Sequence, residues 1–230
     1  MKLYSLTDIG STRKENQDNY WSAILNVNNE EAGVLCLCDG MGGLNNGGMA
    51  SRLVVEAVRD YFLNKFIFEG IEDVLRNVNR KIFSMSEGNS KNLMGTTCTL
   101  IVLYRGIYKI CHIGDSRAYV IRDGNLNQLT TDHSAVNMYG ISKQDNPVLW
   151  GKYKNKLTRC IGVKEDIYFD YYTGSYFEGD KFFVCSDGCW HFFDNCDYSD
   201  CDICDLKSLF ANCISHGEKD NITAGVICIL

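Results

Sequence analysis

The hydrophobic pattern changes period along the chain, and this change constrains the fold more than any other feature. Short apolar runs separated by turn residues predict strands at residues 3–7, 20–27 and 33–38. Residues 48–65 and 71–86 instead repeat apolar side chains at the three-and-four spacing of amphipathic helices. The later segments comprise one helix near residues 206–215 and strands at residues 97–104, 107–113, 116–122, 167–172, 181–185 and 222–229. This order predicts an α+β fold.

The length of 230 residues suits a single domain. The single proline and the lack of a long Gly/Ser tract leave no obvious linker, so residues 1–230 are predicted to form one unit. Residues 131–157 are more polar and irregular, which indicates an excursion over the surface.

The net charge and the amino-terminal sequence limit the ligands and the cellular location that can be expected for this chain. The net charge of −6 argues against broad binding to nucleic acid or anionic membranes, so a bound phosphate would need a local source of positive charge such as metal ions. The amino terminus lacks the apolar run of a signal peptide, and no segment approaches the length of a membrane span. A cytoplasmic protein is expected, with its 12 cysteines reduced.

Four acidic residues share an unusual context, because each lies where a predicted strand meets a tight turn or begins: Asp39, Asp115, Asp187 and Asp220. Carboxylates at strand ends can converge at one rim of a sheet, where cations would have to offset their repulsion. Carboxylates and the carbonyl of Gly40 are hard oxygen donors, suited to Mg²⁺ or Mn²⁺. One Asp-Gly pair alone is more often a simple turn.

A polar segment near the amino terminus adds two candidates. Arg13 could hold two phosphate oxygens bidentately, and Asp18 could orient a water held by the metals. Taken alone, such a segment is more often just a polar loop with a surface arginine.

The chain resembles the metal-dependent protein phosphatases of the PPM, or type 2C, family over nearly its whole length. No single string is specific, but their order and spacing are. The strings are Asp8-x-Gly10-x-x-Arg13-x-x-Asn16-Gln17-Asp18, Asp39-Gly40-Met41-Gly42-Gly43, Met94-Gly95-Thr96-Thr97, Gly114-Asp115-Ser116-Arg117, Leu129-Thr130-Thr131-Asp132-His133-Ser134, Ser186-Asp187-Gly188 and Lys219-Asp220-Asn221-Ile222-Thr223.

The resemblance implies two packed antiparallel β-sheets flanked by helix pairs, with a short flap at about residues 131–157. By position, Asp39 would bridge two metals, Gly40 would lend its carbonyl, and Asp187 with Asp220 would complete the second site. Asp115 would help to hold the third ion found in many bacterial-type members. Arg13 would bind phosphate, and Asp18 would be an outer-shell ligand through water.

The activity implied is that of a protein serine/threonine phosphatase dependent on Mn²⁺ or Mg²⁺, in which a metal-bridging water attacks phosphorus. Phosphorylated proteins would be its substrates and a Ser/Thr kinase its counterpart, and a monomer is expected. The alternative is a phosphatase-like module that senses a ligand or partner without turnover. A metal-dependent nuclease could use similar carboxylates, but the acidic balance and the lack of a basic stripe weigh against it.

Two local departures from the family leave details open. Met41 stands where some members carry a histidine proposed as general acid, so His133 is a candidate proton donor only by its place in a motif. Cys189-Trp190-His191 replaces the aliphatic and acidic residues common after the Asp-Gly pair. The short flap and this segment bear on substrate choice and not on the metal core.

Two cysteine patterns predict rival chemistries. Cys111 to Arg117 fits the C-x-x-G-x-x-R form of cysteine-dependent phosphatases, but it lies between strand-like runs and carries Asp115, which would repel a phosphate. Core packing is the better interpretation of Cys111. A second set suggests zinc, although its irregular spacing favours scattered thiols: Cys185, Cys189, His191, Cys196, Cys201 and Cys204.

Overall fold

Two five-stranded antiparallel sheets form the centre of the protein in a computed structural model, which describes residues 1–41, 46–86, 93–195 and 203–230. The first sheet has the order β1 (Lys2–Asp8), β10 (Ile222–Cys228), β9 (Lys181–Cys185), β6 (Arg117–Arg122) and β7 (Asn125–Gln128). The second has the order β2 (Asp18–Val27), β3 (Glu30–Asp39), β4 (Cys98–Tyr104), β5 (Ile107–Ile113) and β8 (Asp170–Ser175).

Helices cover the outer face of each sheet. Helices α1 (Gly47–Asn64) and α2 (Ile71–Ser86) pack on the second sheet, and α5 (Asp187–Asn195) and α6 (Leu206–Ser215) pack on the first. A short 3-10 helix, Phe68–Gly70, precedes α2. The predicted α+β sandwich of two antiparallel sheets between helix pairs is confirmed.

Strand β3, which lies between β2 and β4 in the second sheet, shows how the sequence specifies these layers. Its odd and even residues face opposite sides because a strand has a period of two. Cys36 and Cys38 point into the layer beneath α1 and α2, whereas Leu35 and Leu37 point into the layer between the sheets. Both faces are covered, so the strand is apolar without interruption from Ala32 to Cys38.

The helices form because their apolar stripes match these layers. In α2 the buried residues Ile71, Leu75, Val78 and Ile82 recur at helical spacing. Glu72 and Asp73 lie in the first turn of α2, where negative charge favours the helix dipole. Helix α6 begins at a capping residue, since the Asp205 side chain accepts a hydrogen bond from Ser208 N at 3.2 Å.

Two sequence predictions differ from the structure, and two elements were not predicted. The strand predicted at residues 167–172 is Asp170–Ser175, because Ile167 and Phe169 are buried in the helix–sheet core as part of a loop. Residues 131–157 are less irregular than expected, with short helices α3 (Ala135–Met138) and α4 (Pro147–Tyr153). Strand β7 and helix α5 were not predicted.

No helix within the described ranges is long and apolar enough to cross a lipid bilayer.

Candidate active site

Five aspartates reach one rim of the sandwich from separate elements. Asp18 opens β2 and pairs directly across the sheet with Asp39, the last residue of β3. Asp115 lies in the turn between β5 and β6, and Asp220 lies two residues before β10. Asp187 was predicted at a strand end before a tight turn, but it is the first residue of α5.

Helix α5 begins at Asp187 because the Ser186 carbonyl accepts hydrogen bonds from Cys189 N at 3.0 Å and Trp190 N at 3.2 Å. The preceding chain is fixed to the neighbouring strand, since Ser186 N donates to Thr223 O at 3.0 Å. These bonds tie Asp187 to the β10 end that also carries Asp220.

Thr97 links the ends that present Asp39 and Asp115. Its backbone N–H donates to Asp39 O at 2.9 Å, and its hydroxyl accepts from Asp39 N at 2.9 Å. The same hydroxyl shares a hydrogen bond of 2.8 Å with Ser116 Oγ, beside Asp115. Two acidic residues from different turns are thus held through one buried threonine.

A relay of hydroxyl groups orients Asp18. Asn16 Nδ2 donates to Thr7 Oγ1 at 2.8 Å, and Thr7 and Thr223 share a bond of 2.7 Å between their hydroxyls. Thr223 Oγ1 then donates to Asp18 Oδ2 at 2.7 Å. The Asp18 carboxylate is therefore fixed, and the residue is buried, with only 5% of its surface exposed.

The electrostatics show that the carboxylates act on one another. Burial first, and then the charges of Asp18, Asp187, Asp115 and Asp220, raise the pKa of Asp39 well above its ordinary value. Burial likewise raises the pKa of Asp187. Like charges held together in this way favour the binding of cations.

Gly40 stands where no side chain fits. A Cβ atom there would lie 2.5 Å from the Gly47 carbonyl group and 2.6 Å from Gln17 O. Gly40 N donates to Gln17 O at 3.1 Å. Its own carbonyl receives no hydrogen bond from the residues that the structure describes, so this oxygen is available to a metal.

Arg13 binds a carboxylate of the cluster. Its Nε donates to Asp220 Oδ1 at 2.7 Å and its Nη2 donates to Asp220 Oδ2 at 2.5 Å, while its side chain is 41% exposed. The hydrogen bond with Asp220 is the largest cause that raises the pKa of Arg13. The guanidinium keeps further N–H groups for a ligand.

Asn221 holds the segment that carries Arg13, a role that the sequence analysis missed. Its Oδ1 accepts from Gln17 N at 2.9 Å, and its Nδ2 donates to Ile9 O at 2.9 Å and to Glu15 O at 3.1 Å. The Asp220-Asn221 string gave a signal for this role, because a short amide side chain can bridge two backbone segments.

A second group beside the cluster was also missed. His191, one helical turn beyond Asp187, donates from Nδ1 to Glu218 Oε2 at 3.0 Å. Trp190 Nε1 donates to the backbone carbonyl of Asp115 at 2.9 Å. These contacts join α5 to residues far away in sequence, so no local pattern could predict them.

His133 does not have the geometry of a proton donor to this site. It is buried, its Nδ1 accepts from Gly114 N at 3.0 Å, and its Nε2 donates to Asp170 Oδ2 at 3.0 Å. Burial is the main cause that lowers its pKa. His133 N also donates to Gly114 O at 2.7 Å, so the residue fixes the turn that presents Asp115.

The cysteine phosphatase hypothesis is excluded by the position of Cys111. This residue is fully buried on β5, within the core beneath α1 and α2, and burial raises the pKa of its thiol well above the ordinary value. A reactive thiolate needs the opposite environment. The prediction of core packing for Cys111 is confirmed.

The described members of the predicted zinc set, Cys185, Cys189, His191 and Cys204, do not form a compact group of ligands. Among the described residues, one set of three or more potential ligands has all its donor atoms within 4.8 Å of one another: Cys36, Cys38 and Cys98. Cys185 and Cys189 are buried in the core beneath α5 and α6. Cys196, Cys201 and the motif residues Gly42 and Gly43 lie outside the described residues.

No three of the described aspartates bring carboxylate oxygens within 4.8 Å of one another. Hard oxygen donors, mutual repulsion and an available carbonyl at Gly40 fit Mn²⁺ or Mg²⁺. The residues present are therefore compatible with a divalent-cation centre.

Comparison with known proteins points in the same direction. Residues 11–230 match the family model described as protein phosphatase 2C. The chain is 30% identical over 245 residues to protein phosphatase PhpP of Streptococcus pneumoniae, covering 99% of this chain and 97% of the relative. It is 29% identical to the serine/threonine phosphatase stp of Listeria welshimeri, over 94% of this chain and 91% of that one.

The solved structure of a serine/threonine phosphatase from S. agalactiae matches with a TM-score of 0.83 and 26% identity, covering 100% of this chain and 99% of that chain. The chain belongs to the protein phosphatase 2C family.

Proposed function

We propose that this protein is a metal-dependent phosphatase that hydrolyses phosphoserine and phosphothreonine in proteins. The observation that carries the proposal is the convergence of Asp39, Asp115, Asp187 and Asp220, whose charges act on one another at one rim. Membership of the family supports the same reaction, because the relatives are named as protein and serine/threonine phosphatases.

The chain would hold its cations with groups from distant segments. Asp39 would bridge two ions, the Gly40 carbonyl would complete one site, and Asp187 with Asp220 would complete the other. Asp115 would serve a third ion. When bound, Mn²⁺ or Mg²⁺ would supply positive charge to the phosphate and activate the attacking water.

The remaining roles belong to Arg13 and Asp18. Arg13 would bind the phosphate through N–H groups that Asp220 does not use, and Asn221 would keep its segment in place. Asp18, fixed by Thr223, would accept a hydrogen bond from a water that the metals hold. Charge that develops on the phosphoryl oxygens would then be stabilised by a preorganised environment.

Phosphorylated proteins are the substrates that these roles imply, and a Ser/Thr kinase is the natural counterpart. The kinase, the monomeric state, the cytoplasmic location and the flap at residues 131–157 stay predictions.

Metal dependence tests the proposal directly. We expect a phosphothreonine peptide to be hydrolysed with Mn²⁺ and the rate to fall at least about 1,000-fold with a chelator, because the ions account for several kcal/mol of transition-state stabilisation. Thiol alkylation should leave the folded enzyme active, since Cys111 is fully buried.

Activity that survives chelation but disappears on alkylation would contradict the proposal. No turnover at saturating Mn²⁺ would instead favour the module that senses a partner without turnover.

The raised pKa values of the buried carboxyl groups predict how the stabilisation of the folded protein by Mn²⁺ depends on pH. Burial, then the charges of Asp187 and Asp132, raise the pKa of Asp115 from 3.8 to about 8. A group with a raised folded pKa stabilises the protein below its unfolded pKa, and this contribution is lost as the pH rises through the folded value. Without metal, the protein should therefore lose stability between about pH 4 and pH 8.

Mn²⁺ should reverse this loss, because metal binding requires the deprotonated carboxylates. Thermal unfolding with Mn²⁺ and with a chelator, at about pH 5, 7 and 8, measures the effect. We expect the melting temperature to rise by at least about 5 °C at pH 8 and by little at pH 5. An equal rise at every pH would show that these carboxyls are not protonated in the metal-free fold.

A further inference from the structure

A cavity of about 500 Å³ lies between residues 131–157 and the helices α5 and α6. Lys143, Trp150 and Lys154 line one side of it. On the other side, the chain contributes Trp190, His191 and Glu218. None of these residues has a role in the proposed metal centre.

The cavity adjoins the acidic rim through two short connections. Trp190, which forms part of its wall, donates from Nε1 to the backbone carbonyl of Asp115 at 2.9 Å. Glu218 Oε1 accepts a hydrogen bond from Asp220 N at 2.9 Å. A peptide with its phosphorylated residue at the metal centre could therefore place a neighbouring side chain in the cavity.

Among the described residues that line the cavity, the lysines outnumber the single carboxylate of Glu218. The ammonium groups of Lys143 and Lys154 each lie 5.2 Å from the centre of the Trp150 ring. Within the described part of the chain, Lys154 has no carboxylate partner. An ammonium without a carboxylate partner, next to an aromatic wall, attracts anions more strongly than a fully solvated lysine does.

Among the described residues that line the cavity, Glu218 carries the one carboxylate, and its charge is already compensated. Glu218 Oε2 accepts from His191 Nδ1 at 3.0 Å, and its Oε1 accepts from Lys219 N at 2.7 Å and from Asp220 N at 2.9 Å. Both carboxylate oxygens of Glu218 are therefore already engaged, one by His191 of α5 and the other by neighbouring backbone N–H groups. Among the described lining residues, Lys154 on the opposite wall therefore sets the charge preference.

We infer that this cavity binds an anionic side chain of the peptide substrate, close in sequence to the phosphorylated residue, and that Lys154 is a specificity-determining residue. The inference rests on the proposed function. A carboxylate and a second phosphate share the required chemistry, so either could supply the anion. Trp150 and Trp190 would pack against the aliphatic part of the same side chain.

The test compares peptides and two lysine variants. A neutral phosphothreonine peptide is scanned with glutamate at each of about four positions on either side, a range set by the roughly 3.3 Å that an extended chain advances per residue. Steady-state kinetics with Mn²⁺ give KM and kcat for every peptide. At the favoured position we expect glutamate to lower KM roughly fivefold with little change in kcat, as expected of uniform binding through one ion pair.

Lys154→Gln should bring the ratio of KM between the neutral and acidic peptides to about one. Lys152→Gln is the matched control, because Lys152 lies in the last turn of α4, the helix that Lys154 caps, is exposed and does not line the cavity. Phosphoserine in place of glutamate at the favoured position then distinguishes the two sources of the anion. A larger decrease in KM than glutamate gives would identify a second phosphate, and an equal or smaller one a carboxylate.

Two outcomes would overturn the inference and leave the proposed function standing. One is normal turnover of the neutral peptide with no effect of glutamate at any position. The other is an equal loss of the preference in Lys152→Gln and Lys154→Gln, which would indicate a general surface field. Failure to hydrolyse every peptide and p-nitrophenyl phosphate would contradict the proposed function itself.

Discussion

Asp39→Asn is expected to lower kcat at least about 1,000-fold at saturating Mn²⁺, since an amide cannot bridge two cations as a carboxylate does. The fold should survive the change. Burial and the charges of four other aspartates oppose ionisation of Asp39, so a neutral amide removes a destabilising interaction from the metal-free protein. Hydrolysis of a phosphothreonine peptide and thermal unfolding with a chelator measure the two effects.

The matched control is Asp123→Asn in the hairpin between β6 and β7. Asp123 is exposed and has a φ of 52°, a conformation that asparagine also tolerates. The same chemical change far from the rim should leave kcat and the melting temperature unaltered. Rates of Asp39→Asn close to those of the unaltered protein would refute the role assigned to Asp39. A lower melting temperature of Asp39→Asn without metal would refute the electrostatic argument.

The fold could be predicted where the sequence pattern is local. Ile71–Ser86, Ile107–Ile113, Lys181–Cys185 and Leu206–Ser215 have the bounds that their apolar periods indicate. In each of these elements the apolar periodicity continues to the last turn or the last residues, so the end of the pattern marks the end of the element.

Helix α5 could not be predicted because its own residues give it little support. It opens with Asp187-Gly188, which is typical of a turn, and continues with cysteine, tryptophan, histidine and phenylalanine, all modest helix formers. Its stability comes from packing, since Cys189, Trp190 and Phe193 are buried against the first sheet and α6. Such contacts exist only once the sandwich has formed.

The candidate site, too, could be predicted only in part from the sequence. The order of the motifs indicated the aspartates, Gly40 and Arg13. In the structure the aspartates are close enough for their charges to raise the pKa of Asp39, and Arg13 lies beside them. The neighbours that shape the rim were not indicated, because each works through a partner distant in sequence. His191 and Glu218 are 27 residues apart, and Trp190 and Asp115 are 75 apart.

The second large effect is expected from Gly188→Ala, because Gly188 lies where α5 meets the start of β10. A Cβ atom at Gly188 would be 2.1 Å from Asn221 O and 3.1 Å from Asn221 C, both backbone atoms. The two segments must therefore separate, and they carry Asp187 and Asp220. Alanine favours helices over glycine by only about 1 kcal/mol. We expect the clash to lower the free energy of unfolding by about 3 kcal/mol and to weaken Mn²⁺ binding.

Gly151→Ala in α4 separates this steric argument from a general effect of replacing glycine. No atom lies within 4 Å of a Cβ at Gly151, so the free energy of unfolding should stay constant or rise by about 0.5–1 kcal/mol. Urea unfolding and Mn²⁺ titration of both variants provide the comparison. If Gly188→Ala binds Mn²⁺ as tightly as the unaltered protein, then the spacing of Asp187 and Asp220 does not depend on the contact between α5 and β10. The metal centre would in that case adapt to its scaffold, contrary to the rigid rim described above.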